Sequence, residues 1–198
     1  MKLRSSPYSP FGRKVKIAAA LLSLSDRFTI EEANTLDPAD TVREQNPVGK
    51  IPVLMLEDGT AIYDSRVIIE YLDMLAGGGK LIPNGAARIE ALVLNAAADG
   101  LMDAALLQRY EILFRTEDMR SETWLEHQRG KVARVLAASE AAPPREDDRS
   151  IGAIALACAL GYLDIRFEGA WRAAHPRLVA WLDRFAAAVP AYAATDPR

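Results

Sequence analysis

The hydrophobic rhythm of this chain changes once, near residue 80, and that change restricts the fold more than any other feature. Before it, short apolar runs alternate with turn signals and two helical patterns. After it, nearly every segment reads as helix, rich in alanine, leucine and arginine. Gly77-Gly78-Gly79 and Pro83-Asn84-Gly85 punctuate the boundary, which places one domain at 1–79 and a second at 86–198. A chain of 198 residues is long enough for two such units.

In the first half, Met1 to Arg4 forms a short strand pattern. Ser9-Pro10 opens a helix, because serine caps a helix start and proline suits the first helical position. Phe11, Val15, Ala18 and Leu22 fall on one face of that helix, leaving Arg13, Lys14 and Lys16 for the other. Phe28-Thr29-Ile30 gives a second strand, which a helical crossover pairs in parallel with the first. The apolar runs Ile51 to Leu56 and Ala61 to Tyr63 flank Glu57-Asp58-Gly59-Thr60, a strong hairpin signal. Asp64-Ser65 then caps a helix with Ile68, Ile69, Leu72 and Leu75 turned inward. The expected unit is βαβ, a link through 33–49, then ββα, making a four-stranded mixed sheet with helices packed on it. The second half predicts helices at roughly 87–115, 121–140, 151–167 and 176–189. Leu178, Trp181, Leu182 and Phe185 make the buried stripe of the last one.

Composition narrows the function. The formal net charge is −3 and charges of both signs are interspersed, which argues against the basic face of a nucleic-acid binder. The longest charge-free apolar run, 151–163, is shorter than the ~20 residues a membrane span needs. The N-terminus carries Lys2 and Arg4 but no stretch resembling a signal peptide, so a cytoplasmic protein without membrane contact is expected. Cys158 is the single cysteine, which excludes an internal disulfide, and its apolar helical surroundings describe a buried, inert thiol. The two histidines, His127 and His175, lie far apart with no acidic or cysteine partner at ligand spacing. Neither a metal site nor a Ser-His-Asp triad is expected.

Three features of the first half need explaining. Tyr8-Ser9-Pro10-Phe11-Gly12 is a polar turn from strand into helix, either a cap alone or an anion site made by free N–H groups and the positive dipole end. Pro47-Val48-Gly49-Lys50-Ile51-Pro52-Val53-Leu54 places a proline just inside a strand, where it cannot donate a ladder hydrogen bond. Pro52 marks either an edge strand or a cis bond that turns the Ile51 backbone outward toward an extended ligand. Asp64-Ser65 starts a second helix, again a cap or a second anion site.

In that order, a serine at the first helix, Asn46-Pro47-x-Gly49-Lys50-Ile51-Pro52-Val53-Leu54, and an acidic-Ser pair opening the next helix resemble the N-terminal signature of the glutathione transferase family. Ser150-Ile151-Gly152-Ala153 followed by Gly161-Tyr162-Leu163-Asp164 resembles the helix-start motif of that family's C-terminal domain, and the tail from His175-Pro176 through Trp181 to Pro190 also fits. One departure stands out: Ala153 replaces the aspartate that completes a capping box, and Arg149 replaces an apolar staple residue. The chain is most similar to bacterial serine-type members. Ser9 matches the active-site serine of theta- and zeta-like classes and the cysteine of omega-like ones.

The resemblance implies an α/β thioredoxin-like N-terminal domain and an all-α helical-bundle C-terminal domain. It implies glutathione as co-substrate and no metal. Ser9 would hydrogen-bond the glutathione sulfur, Lys50 face the glycine carboxylate, Ile51 before cis Pro52 pair with the cysteinyl backbone, and Asp64 and Ser65 hold the γ-glutamyl end. A small electrophile would sit among Tyr8, Phe11, Met102, Leu106, Tyr110 and Phe114; the last four recur at four-residue spacing, which ordinary core packing explains equally well. The family is typically homodimeric, with the hairpin edge and the 87–115 helix against the partner. Asp99 and Asp103 would then either reach the neighbouring γ-glutamyl amine or remain solvated charges. Three activities fit: conjugation of glutathione to an electrophile in detoxification, a non-catalytic binding or partner role, and glutathione-dependent thiol exchange. The last is disfavoured because residue 9 is not a cysteine.

Overall fold

The computed structural model describes all 198 residues. The first domain runs β1 (Lys2–Ser5), α1 (Pro10–Leu21), β2 (Thr29–Glu32), α2 (Val42–Gln45), β3 (Val53–Met55), β4 (Ala61–Ile62) and α3 (Ser65–Leu75). Its four strands lie in the order β2-β1-β3-β4, with β1 parallel to β2 and antiparallel to β3, and β3 antiparallel to β4. The register sets Leu3 beside Leu54, both fully buried. The strand expected from Ile51 begins only at Val53. Pro52 has no N–H to give, so the ladder starts after it and Ile51 stays outside. The Ile51–Pro52 and Tyr63–Asp64 peptide bonds are both cis.

The cap expected at Ser9 is present: its hydroxyl oxygen accepts from the Gly12 N–H at 3.1 Å. Val15, Ala18 and Leu22 are buried as expected, but the opposite face of α1 is not solvated. Arg13 and Lys14 are buried and Lys16 is half-buried. The reason is that α1 is packed on both sides, against α3 in its own domain and against α6 and α8 of the second. Arg13 donates to the Tyr192 carbonyl at 2.6 Å and lies 4.1 Å over the Tyr192 ring. On α3, Ile68, Ile69 and Leu72 are buried, whereas Leu75, the last helical residue, projects past the core and is exposed. Asp73 at the end of α3 is buried and accepts from the Gly79, Lys80 and Leu81 N–H groups at 2.9, 3.0 and 2.8 Å. That carboxylate folds the connection through left-handed Gly77, Gly78 and Gly79.

The second domain comprises α4 (Ala86–Phe114), α5 (Glu122–Ala141), α6 (Ile151–Arg166), α7 (Pro176–Ala188) and α8 (Pro190–Ala194). α6 is its axis, buried continuously from Ile151 to Leu163 and packed between α4 and α1. Gly152 permits the close approach to α4, since a Cβ there would lie 2.6 Å from the Ala91 carbonyl oxygen. Ser150 caps α6, accepting from the Ala153 N–H at 3.3 Å. Ala153 cannot return the bond, and Asp148 does so instead, its Oδ1 accepting from the Ser150 N–H at 2.8 Å. Arg149 lies 5.5 Å over the Phe185 ring, where the family places an apolar staple. The helix start is therefore secured by different residues. No helix is long and apolar enough to cross a membrane.

Candidate functional site

A cleft of about 550 Å³ opens between the two domains, where the start of α1, the loop before β3 and the start of α3 face α4 and the end of α6. It gathers most of the residues singled out in the sequence.

Ser9 lines the cleft at the start of α1. The Gly12 N–H occupies one lone-pair direction of the hydroxyl, which leaves the hydroxyl hydrogen free to donate into the cleft, beside the positive end of α1. Ser6 and Tyr8 also line the cleft, but neither caps the helix. Lys50 is positioned by the loop around it. The buried Asn46 donates from Nδ2 to the Lys50 carbonyl at 2.8 Å and accepts at Oδ1 from the Val48 N–H at 3.0 Å. Gly49 takes a positive φ of 67° in the same turn. Lys50, Ile51 and Pro52 are thereby presented along one wall, with the Ile51 backbone free of the sheet.

At the start of α3, Asp64 caps the helix by accepting from the Arg66 N–H at 3.0 Å and also pairs with the Arg66 guanidinium at 3.0 Å. Partial burial pushes the Asp64 carboxyl up, but the Arg66 bonds and charge outweigh it and hold it below the ordinary carboxylate value. Ser65 beside it is buried and lines the cleft. Asp99, from α4, faces this same corner: its Oδ1 accepts from Lys14 Nζ at 2.7 Å and its Oδ2 from Asn95 Nδ2 at 2.9 Å, with Arg66 Nε at 3.8 Å. Asp99 is therefore not a solvated charge, and its carboxylate is engaged inside its own chain. Asp103, one turn on, is solvent-exposed and lines the cleft. Desolvation by its surroundings raises its carboxyl, Lys50 opposes that, and Asp99 adds to it.

The rest of the lining is largely aromatic. Tyr8, Phe11, Leu106 and Tyr110 line the cleft as expected. Met102 and Phe114 do not. Met102 is fully buried in the core, and Phe114 stands exposed over a separate groove with Trp124. A four-residue step advances a helical side chain by about 40°, so three steps from 102 to 114 carry it through about 120°. Four residues at that spacing cannot share one face. Residues not singled out complete the site: Arg66 beside Asp64-Ser65, Asn95 one turn before Asp99, and Tyr162 and Arg166 one turn apart on α6. The signal for the last two was present in Gly161-Tyr162-Leu163-Asp164, whose spacing projects Arg166 next to Tyr162. Cys158 is fully buried and its thiol is pushed up by burial to about 11.

Comparison with known proteins agrees with this geometry. Residues 3–80 match the profile described as Glutathione S-transferase, N-terminal domain, and residues 122–184 match Glutathione S-transferase, C-terminal domain. A crystal structure of a glutathione transferase family member from Pseudomonas fluorescens Pf-5 with bound glutathione superposes with a TM-score of 0.93 at 41% identity, covering 100% of this chain and 98% of that one. A related structure from the same organism holds S-(propanoic acid)-glutathione, with 42% identity, a TM-score of 0.89 and 100% of both chains covered. The "Uncharacterized GST-like protein YibF" of Escherichia coli (strain K12) is 35% identical over 187 residues, 90% of each chain. With both domains matched and the helix-capped cleft between them in place, the chain belongs to the glutathione transferase family.

Proposed function

We propose that the protein conjugates the glutathione thiolate to an electrophilic small molecule, with Ser9 stabilising the thiolate. One observation carries this reading: Ser9 lines the cleft at the positive end of α1 with its hydroxyl oxygen accepting from the Gly12 N–H at 3.1 Å, which leaves its own hydrogen to be donated to a ligand. A free thiol has a pKa near ~8.5 and is mostly protonated at neutral pH. Lowering it by ~2 units takes about 2.7 kcal/mol of preferential thiolate stabilisation. A hydrogen bond to a charged acceptor supplies about 1.5–3 kcal/mol, and a helix N-terminus about 0.3–1 kcal/mol more.

The remaining contacts follow the peptide. Lys50 meets the glycine carboxylate, the unpaired Ile51 backbone meets the cysteinyl amide, and Ser65 at the start of α3 meets the γ-glutamyl carboxylate. The γ-glutamyl ammonium faces the acidic corner of Asp64, Asp99 and Asp103. Glutathione-bound relatives at 41% and 35% identity support the peptide ligand. A cytoplasmic homodimer completes the reading. Val67 and Met74 on α3 and Ile89 and Val93 on α4 are exposed around the Arg88–Glu70 ion pair, which joins the two helices at 2.8 Å. That apolar face suits a second copy better than water.

Thiol exchange lacks a cysteine in the cleft. A non-catalytic binder differs from the enzyme only in turnover. Retention on immobilised glutathione, elution by free glutathione and conjugation of chlorodinitrobenzene separate the readings: retention with turnover is the expected result. Retention without turnover, across a panel of electrophiles, assigns a binding protein, and failure to be retained overturns both.

A further inference from the structure

The charges lining the cleft differ in how far they are already paired. Asp64, Asp99 and Asp103 gather where α3 meets the middle of α4, and the cations there are engaged: Lys14 with Asp99, Arg66 with Asp64. Lys50 is taken by the glycine carboxylate in the proposed glutathione pose. Arg166 is different. It lines the cleft from the last turn of α6, half-buried, with its guanidinium carbon 4.8 Å from the centroid of the Tyr8 ring. It belongs to no ion pair. Asp164, the nearest acid on its own helix, is already held by Arg172 at 2.6 Å and by Trp171 Nε1 at 2.8 Å.

The surroundings of Arg166 are those of a binding group. Tyr162 lies one turn before it on α6, its phenol flanked by both Arg166 and Arg109. Tyr110 closes the wall from α4. With its guanidinium over the Tyr8 ring and one N–H engaged by the Tyr162 phenol, Arg166 keeps its other N–H groups for a further partner, and a guanidinium fork matches a carboxylate in bidentate geometry. The position at the C-terminal turn of α6 also complements the helix dipole. A dipole role asks only for a cation near the carbonyls, however, and does not require the stack on Tyr8 or the approach to the cleft.

We propose that the electrophile taken by this cleft is an aromatic or unsaturated carboxylate, bound through its carboxylate to Arg166. The inference rests on the glutathione chemistry proposed above and names its substrate class. With an aryl chloride such as chlorodinitrobenzoate, the thiolate sulfur bonds to the ring carbon bearing chlorine. Chloride leaves with the electron pair of the carbon–chlorine bond, and the thiol proton goes to solvent. Arg166 holds the carboxylate and takes no part in the bond exchange.

The test is calorimetric binding of three ligands to the wild type, Arg166→Gln and Arg166→Lys: glutathione, S-(p-carboxybenzyl)glutathione and its uncharged match S-(p-carbamoylbenzyl)glutathione. The wild type should bind the carboxylate roughly tenfold or more tighter than the amide, the range for a charge-assisted hydrogen bond. Arg166→Gln should erase that preference while leaving glutathione and the amide within about twofold. Arg166→Lys should restore part of it, and kcat/KM for chlorodinitrobenzoate against chlorodinitrobenzamide should follow the same ratio. Equal affinity for carboxylate and amide in the wild type, or a preference that survives in Arg166→Gln, overturns the proposal while leaving glutathione binding intact. Loss of glutathione binding itself in the wild type would overturn the underlying function, a distinguishable outcome.

Discussion

Removing the Asp99 carboxylate should destabilise the fold through Lys14. The lysine is fully buried, and its Nζ donates to Asp99 Oδ1 at 2.7 Å and Asn95 Oδ1 at 3.0 Å. In Asp99→Ala the cation keeps only the asparagine, and stranding a buried charge in this way costs about 3–5 kcal/mol. An upper bound comes from the alternative of shedding the proton. At pH 7, from the ordinary value of 10.5, that costs about 4.8 kcal/mol at ~1.36 kcal/mol per unit. The two figures agree, and for a chain of this size they correspond to a melting temperature lower by roughly 6–20 °C. The pH dependence has a definite sign. Burial, the larger influence, already holds the Lys14 pKa below 10.5 against the pull of Asp99. Between its folded value and 10.5 the unfolded chain binds more protons, so stability rises with pH. The penalty is full below the folded value and relieved above it. Asp99→Ala lowers that folded value further, so the rise should begin at lower pH. Lys14→Met combined with Asp99→Ala should recover most of the loss, because no charge is then stranded. Thermal and urea denaturation of wild type, Asp99→Ala, Lys14→Met and the double variant across neutral to alkaline pH measures all of this. A melting temperature for Asp99→Ala within about 2 °C of wild type, with additive effects in the double variant, would refute the reasoning.

Other predictions follow from packing and caps. Gly152→Ala should destabilise by about 1–3 kcal/mol, because its Cβ would meet the Ala91 carbonyl oxygen at 2.6 Å and Leu94 Cβ at 2.8 Å. Gly100→Ala, with nothing within 4 Å, should be neutral or stabilising in the same urea titration. Asp148→Ala and Ser150→Ala should each cost about 1 kcal/mol, since each supplies one half of the α6 cap; a silent Asp148→Ala would show that the Ser150 N–H needs no such partner. Val93→Asp should convert a dimer to a 21.6 kDa monomer by light scattering at micromolar concentration. A wild-type mass already at that value would retire the dimer.

Much of the fold was legible because its signals are local. Ser9-Pro10, Asp58-Gly59 and Asp64-Ser65 fix chain direction within a few residues, and the helices of the second domain follow from period and breakers alone. That Lys50, Ile51 and Pro52 share one wall of the cleft was legible for the same reason, since Asn46 to Pro52 is one continuous loop. The errors came from long-range packing. Arg13 and Lys14 read only as the face of α1 away from its apolar stripe, because nothing near them announces the second domain, whose Asn95, Asp99 and Tyr192 receive them. The electrophile wall failed at Met102 and Phe114, where a four-residue spacing was extended past the point at which the helix turns away. Arg166 was overlooked because a cation in a helix's last turn looks like an end cap until the fold brings Tyr8 against it.

The central claim, that Ser9 stabilises the glutathione thiolate, is tested most directly by titrating the ultraviolet thiolate absorbance of bound glutathione against pH. Wild type, Ser9→Ala, Ser6→Ala and Tyr8→Phe should be compared under saturating glutathione. Wild type should lower the thiol pKa below its free value of ~8.5. Ser9→Ala should raise it again by about 1–2 units, matching a lost hydrogen bond of about 1.5–3 kcal/mol to a charged acceptor, with glutathione affinity largely retained. Ser6→Ala and Tyr8→Phe should leave it in place. A pKa unchanged in Ser9→Ala but raised in Ser6→Ala or Tyr8→Phe would contradict the claim and move the role to that residue.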